Sequence, residues 1–215
     1  MTQSRRQFIA TTGSVAVAAT LPGALIAPAL AQETVDVDEL MVPGPLGEKA
    51  LGADSAPVTI VEYASMTCGH CARFHETTYH GLKEKYVDTG KVRFVFREFP
   101  LDNIALGVFM LARCAPEQAY FDVVDLFFKT QRDWAVAGQN PLPALFNVAK
   151  QVGFTQESFE SCLKNQNLVD GIIAVKETGR TKFKVDSTPT FFINGKRVSG
   201  ALSLDAMGEH IDPLL

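Results

Sequence analysis

Val58-Thr59-Ile60-Val61-Glu62-Tyr63-Ala64-Ser65-Met66-Thr67-Cys68-Gly69-His70-Cys71 is the stretch on which the fold turns. Its first half is short, β-branched and nearly continuous in apolar character, which suits a strand in the interior of a sheet. Its second half sets a Cys-x-x-Cys pair where that strand ends. Beyond it, Phe74, Leu82 and Tyr86, with Thr78 between them, keep helical spacing to about Val87, and Thr89-Gly90 stops the helix. Lys91 to Phe99 then reads as a second strand, with Val92, Phe94 and Phe96 on one face. Strand, helix and strand with short joints predict a right-handed βαβ unit.

From about Asn103 to Phe183 the pattern is almost wholly helical. Ile104, Val108, Leu111 and Ala112 form one stripe, and Pro116 suits the first turn of a second helix through Phe128. Leu142, Leu145, Val148, Ala149 and Val152 make a third helix ended by Gly153. Thr155 caps a fourth through Leu163, and a fifth runs from about Leu168 to Lys182. Phe127, Phe128 and Trp134 read as packing residues rather than a ligand box. Sheet signals return at Thr190-Phe191-Phe192-Ile193 and Lys196-Arg197-Val198-Ser199, joined by Asn194-Gly195, a strong hairpin signal. A last helix spans about Leu204 to Ile211. The predicted class is α/β, in the order βαβ, helical insertion, ββα. Residues 58–102 and 184–215 form one split domain, 103–183 the inserted helical subdomain, and 32–57, rich in Pro, Gly and Asp, an extended N-terminal arm.

The first 31 residues read as a cleavable export signal. Ser4-Arg5-Arg6-Gln7-Phe8-Ile9 precedes an acid-free, mildly apolar run, and Ala29-Leu30-Ala31 offers a small-x-small site for cleavage after Ala31. The paired arginines point to the twin-arginine type. A membrane anchor is the alternative, but Pro22, Gly23 and Pro28 interrupt the run. Export would place the chain in the periplasm, an oxidising compartment that permits stable disulfides. With 47% apolar and 20% charged residues among 215, the chain can bury a core without relying on its four cysteines. A net charge of −4, with no basic cluster beyond the extreme N-terminus, argues against nucleic acid as a partner. No heptad or spare apolar helix appears, so a monomer is expected.

The Cys-x-x-Cys pair lies where a strand hands over to a helix. Cys68 at the helix start faces unpaired backbone N–H groups and the positive end of the dipole, which favour a thiolate. Its pKa is therefore expected well below the ordinary value of about 8.5. Cys71, one turn on, is placed to attack a mixed disulfide formed at Cys68. Gly69 permits close approach of a substrate chain, and His70 adds a polar or cationic donor near the sulfur. Two other readings exist: a structural disulfide, and a zinc site drawing on Cys68, Cys71, His75 and His80. Helical spacing turns His80 away from the other three, and a lone histidine at 75 or 80 is expected to face solvent. No metal and no cofactor are expected; the redox group is the Cys68–Cys71 disulfide itself.

Tyr63-Ala64-Ser65-Met66-Thr67-Cys68-Gly69-His70-Cys71, taken with Ser187-Thr188-Pro189-Thr190-Phe191-Phe192-Ile193-Asn194-Gly195, resembles the DsbA-like branch of the thioredoxin superfamily. The likeness covers about residues 56–212, including the place of the helical insertion, and implies a thioredoxin-like fold. It implies that the Thr188–Pro189 bond is cis and faces Cys68, where Thr188 backbone groups would pair with an extended client segment. A trans proline opening a strand is the alternative. Glu62 matches a buried carboxylate beneath the cysteine pair. A charge inside an apolar strand is costly, so this group would suit proton relay to and from Cys71; an edge residue reaching solvent is the other reading.

The resemblance implies a protein thiol–disulfide oxidoreductase that introduces disulfides into unfolded or reduced exported proteins. A quinone-linked membrane partner would then reoxidise it. A reductase or isomerase kept reduced is the alternative, because Gly69-His70 departs from the Pro-His pair of strong donors. A binding or chaperone module with an inert cysteine pair is a more distant third reading. Cys114 and Cys162, both in the insertion and without a Cys-x-x-Cys partner, read as structural, either bridged or as two buried thiols.

Overall fold

The computed structural model describes residues 34–135 and 140–215. The reading of residues 1–31 as an export signal lies outside them. Among the described residues no helix is long and apolar enough to cross a membrane.

A five-stranded sheet organises the chain in the order β1-β3-β2-β4-β5. Its strands are β1 Lys49–Leu51, β2 Val58–Ala64, β3 Val92–Glu98, β4 Thr190–Ile193 and β5 Lys196–Ser199. β2 and β3 run parallel, with Val58 opposite Val92 and Ala64 opposite Glu98. The remaining neighbours are antiparallel. β2 is thus the central strand, which is why its sequence is apolar almost throughout. The tight β4–β5 turn places Asn194 and Gly195 at φ 44° and 83°, conformations that Asn and Gly adopt most readily.

The extended arm expected at 32–57 is more structured than its composition suggests. It holds a short helix, α1 Val37–Leu40, capped by Asp36, and the edge strand β1. Its Pro- and Gly-rich remainder conceals a strand of three residues, too short to show a period. A partly buried ion pair secures it: Arg97 on β3 donates to both Glu48 carboxylate oxygens, at 2.9 and 2.7 Å, and to the Leu40 carbonyl at 3.0 Å.

Helix α2, Gly69–Phe74, continues from the cysteine pair through a π segment His75–Tyr79, α3 His80–Leu82 and a second π segment Lys83–Val87. The wider π turns interrupt regular α-helical spacing beyond Phe74. Between β3 and β4 lie α4 Asn103–Cys114, a 3-10 turn Glu117–Ala119, α5 Tyr120–Lys129, α6 Gln131–Trp134, α7 Leu142–Ala149, α8 Gln156–Leu163 and α9 Gln166–Lys182. Pro116 stands just before the 3-10 turn that leads into α5, rather than inside an α-helix. Thr155 caps α8 with a capping box, and Gly153 takes φ 92° to end the preceding helix. Trp134 is buried and its indole N–H donates to the Phe127 carbonyl at 3.0 Å. Helix α10, Leu204–Ile211, ends the fold.

Two cores sandwich the sheet. The larger gathers Ile60, Phe74, Leu82, Phe94, Phe96 and the apolar faces of α4 and α5. The smaller gathers Val61, Tyr63, Val95, Val175 and Phe183 on the opposite face. Alternation along β2 therefore sends Ile60, Glu62 and Ala64 toward α2, and Val61 and Tyr63 toward α9. On that second face α9 crosses so close that a Cβ on Gly179 would stand 2.6 Å from the Tyr63 ring. Cys114 and Cys162 form a disulfide between α4 and α8.

Candidate active site

The site begins where β2 ends. Ser65, Met66 and Thr67 turn the chain, with the Cys68 N–H donating to the Ser65 carbonyl at 3.1 Å. Cys68 is the N-cap of α2, in extended conformation at φ −80° and ψ 117°. It therefore sits outside the helix while the first N–H groups of the helix point toward its side chain. Two contacts from distant residues hold this turn. Thr67 Oγ1 donates to Asp102 at 2.7 Å, and Gln131 Nε2 donates to the carbonyls of Met66 and Cys68, at 2.7 and 3.1 Å. Asp102 also caps α4, accepting from the Ala105 N–H at 2.8 Å. Sequence reasoning missed Asp102 and Gln131, because nothing local links them to the cysteines.

Cys68 and Cys71 are two thiols here, one half-buried and one fully buried. Hydrogen bonding from the Cys71 thiol is the largest influence on Cys68. With smaller contributions from Thr188 and the N–H groups of Cys71 and His70, it outweighs burial and lowers the Cys68 thiol from 9.0 to about 5. Cys71 moves the opposite way. Burial first, then its bond to Cys68 and the field of Glu62, raise it well above 9.0. The two sulfurs are thus distinct: an accessible thiolate and an enclosed thiol. His70 contributes through its backbone N–H, and its imidazole is exposed.

The Thr188–Pro189 bond is cis. The loop meets the pair directly, with Cys68 Sγ 3.2 Å from the Thr188 carbonyl oxygen. Thr188 Oγ1 is buried and makes no hydrogen bond with another oxygen or nitrogen among the described residues. Gly69 is exposed at the helix start, with open space where a Cβ would stand.

Glu62 is fully buried on the central strand and does not reach solvent at an edge. Its side of β2 is the side of Phe74 and Cys71. His75 departs from the solvent-facing position expected of it, being only 2% exposed. Four residues beyond the buried Cys71, His75 shares its helix face, and its Nε2 stands 3.5 Å from Glu62 Oε2. His80 faces outward, as helical spacing indicated. Among the described residues no group of three or more His, Cys, Asp and Glu side chains is arranged to hold a metal ion. A cavity of about 1070 Å³ opens beside α2, reaching from Gly69 and His70 to His75, His80 and Asp125.

A differentiated cysteine pair at a strand-to-helix joint, facing a cis-proline loop, is the site of a thioredoxin-type protein. The family described as Thioredoxin matches residues 46–213, and the chain belongs to it. Within that family it is DsbA-like. It is similar to alpha-DsbA1 of Wolbachia pipientis, with 32% identity and a TM-score of 0.77 over 83% of this chain and 96% of that one. It is also 32% identical to a protein of Rickettsia bellii named as a protein-disulfide oxidoreductase, over 77% of this chain. That match spans 63% of the Rickettsia protein, so the chain covers less than two thirds of that curated relative. BdbD of Bacillus subtilis, at 19% identity and a TM-score of 0.69, shares the fold.

Proposed function

We propose that this chain is a thiol–disulfide oxidoreductase that donates disulfides to exported proteins in the periplasm, working as a monomer. The observation that carries the direction is the Cys68 thiol, lowered to about 5. A stabilised thiolate favours the reduced pair, and a pair that prefers to be reduced is an oxidant toward its clients. Relatives named for DsbA and for protein-disulfide oxidoreductase activity support the same reading.

In the proposed cycle a client thiolate attacks Cys68 Sγ of the oxidised pair. The Cys68–Cys71 bond breaks, its electron pair stays on Cys71 Sγ, and Cys71 takes a proton. A second client thiolate attacks the client sulfur of the mixed disulfide and expels Cys68 as a thiolate. The client has lost two electrons and gained a disulfide; the pair has gained those electrons. The Thr188–Pro189 loop, with Gly69 leaving the approach open, would hold the client as an added strand. Glu62 would exchange the Cys71 proton. A quinone-linked membrane protein would supply the disulfide that restores Cys68–Cys71. Residues 1–31, as a twin-arginine-type signal, would deliver the chain to that compartment. The split unit of 58–102 and 184–215 would carry the chemistry, and 103–183 would shape the client-facing surface.

Equilibration of the mature protein with glutathione buffers tests the direction. A reduction potential of about −120 to −180 mV is expected of a donor. A value near about −270 mV would overturn the donor reading in favour of a reductase or isomerase.

A further inference from the structure

None of the side-chain oxygens of Glu62 or ring nitrogens of His75 makes a hydrogen bond among the described residues. Two enclosed polar groups left so are costly, and a site that retains them is a place to look for function. The imidazole is nevertheless held firmly. It is stacked between the Phe128 ring, at 4.2 Å and 28°, and the Tyr79 ring, at 4.6 Å and 27°. With both faces covered, only its edge is available. At that edge Nε2 stands 3.5 Å from Glu62 Oε2 and Nδ1 stands 4.0 Å from Asp125 Oδ1. Asp125, partly exposed on α5, is in turn 3.2 Å from Nε2 of the exposed His80. His75, Asp125 and His80 all line the open cavity beside α2.

We infer that His75 is a relay residue carrying protons between Glu62, beneath Cys71, and the cavity rim formed by Asp125 and His80. This rests on the reading of Cys68–Cys71 as an exchange site. His75 touches neither sulfur; it acts through Glu62. The charged groups at its edge are Glu62 from β2 and Asp125 from α5, the rings on it are Tyr79, Phe128 and, edge-on, Phe96, and Asp122 of α5 acts on the stacked Tyr79. Glu62 at 3.5 Å is the inner terminus of the path and Asp125 at 4.0 Å the outer one.

The cycle returns this relay to its starting state. When a client opens the disulfide, Cys71 takes a proton from Glu62. Glu62 refills from His75 Nε2–H, and Nδ1 takes a proton from the rim. When a partner disulfide reoxidises the pair, the Cys68 thiolate attacks it and one partner thiolate leaves. Glu62 first passes its proton to Nε2 while Nδ1–H leaves to the rim. Cys71 then gives its proton to the emptied Glu62 carboxylate and attacks Cys68 Sγ, expelling the second partner thiolate. The tautomer shifts once in each half and ends where it began, so the imidazole never has to turn within its stack. Small movements close the 3.5 and 4.0 Å gaps to hydrogen-bond distance, or a water bridges the outer one.

The test follows reduced, full mature protein mixed with oxidised glutathione between about pH 5 and 9, resolving two steps by acid quench and mass. The first step forms the Cys68–glutathione disulfide; the second is attack by Cys71, which requires its proton to leave. His75→Phe keeps both stacking faces and removes the nitrogens. The first step should stay unchanged, and the second should slow at least about tenfold at the acid end, recovering toward the alkaline end as hydroxide accepts the proton. In His75→Gly, added imidazole entering from the cavity should restore the second step. An unchanged second step at every pH in His75→Phe overturns the relay. So does equal slowing of both steps without imidazole rescue, which marks a packing residue. If the histidine variants do not fold, Asp125→Asn at the rim should show the same acid-limited deficit, and its absence overturns the path. A wild-type protein that performs neither step sinks the exchange reading, and the relay with it.

Discussion

Glu62 on β2 and Glu98 on β3 are carboxylates on adjacent strands, exposed by 0% and 1%, and the fold treats them in opposite ways. Glu98 is saturated. Arg113 donates to its two oxygens at 2.6 and 2.9 Å, and the Tyr120 hydroxyl donates at 2.8 Å. Arg113 also donates to the Leu46 carbonyl at 2.7 Å, so the network ties the N-terminal arm to α4 and α5. Glu62 has no hydrogen bond among the described residues and faces an imidazole at 3.5 Å. A carboxylate whose lone pairs are filled by a guanidinium cannot change protonation without breaking the structure around it. Under the proposed relay, one left unbonded beside a thiol and an imidazole exchanges a proton with little rearrangement. On that proposal burial alone does not single out the carboxylate that does chemistry; the state of its bonding does.

The sharpest way to break this contrast is to unpair the structural member. Arg113→Ala strands Glu98 in the core and should cost about 3–5 kcal/mol of stability by urea unfolding, with exchange rate per folded molecule unchanged. Replacing Glu98 as well, by Leu, should recover much of that loss. Serine at both Cys114 and Cys162 gives a second structural reference. Removing this link between α4 and α8 should cost roughly 2–4 kcal/mol while leaving the Cys68–Cys71 potential where it was. Glu62→Gln should invert the pattern. Stability should change by less than about 1 kcal/mol, because no hydrogen bond is lost. Resolution of the mixed disulfide by Cys71 should slow about tenfold, which corresponds to about 1.4 kcal/mol in the barrier. A stability loss matching that of Arg113→Ala, without a kinetic effect, would erase the distinction between the two carboxylates.

The smallest effect is the dependence of the pair's potential on pH. With Cys68 lowered to about 5 and Cys71 raised well above 9.0, the reduced pair carries one proton from about pH 5 upward. The potential should fall by about 30 mV per pH unit there, and by about 59 mV per unit below it, where both thiols are protonated. The same shift sets the stability of the reduced protein. Because the folded value lies below that of a free thiol, the thiolate's contribution is fully present above about pH 9 and is lost as pH falls through about 5. Melting curves of reduced and oxidised protein should accordingly converge toward the acid side. A break in the potential near pH 9 instead would mean that Cys68 is an ordinary thiol.

What the chain determines by itself is local. The apolar run 58–64, the helical spacing after Cys71, the Asn194-Gly195 turn and the Thr155 cap place strands, helices and hairpin within a residue or two, because each depends on neighbours a few positions away. Cys68 at a helix start follows for the same reason, since a strand-to-helix joint creates its own unpaired N–H groups. Tertiary structure decides the rest. The edge strand β1 exists because β3 offers it a partner, and three residues carry no period of their own. His75 read as a surface histidine until the rings of Tyr79 and Phe128 enclosed it. Asp102 and Gln131 hold the cysteine turn from helices distant in sequence. Whether a buried carboxylate is bonded or left open depends on which side chains the fold delivers to it. Burial and pairing are properties of several segments at once, so no single segment can announce them.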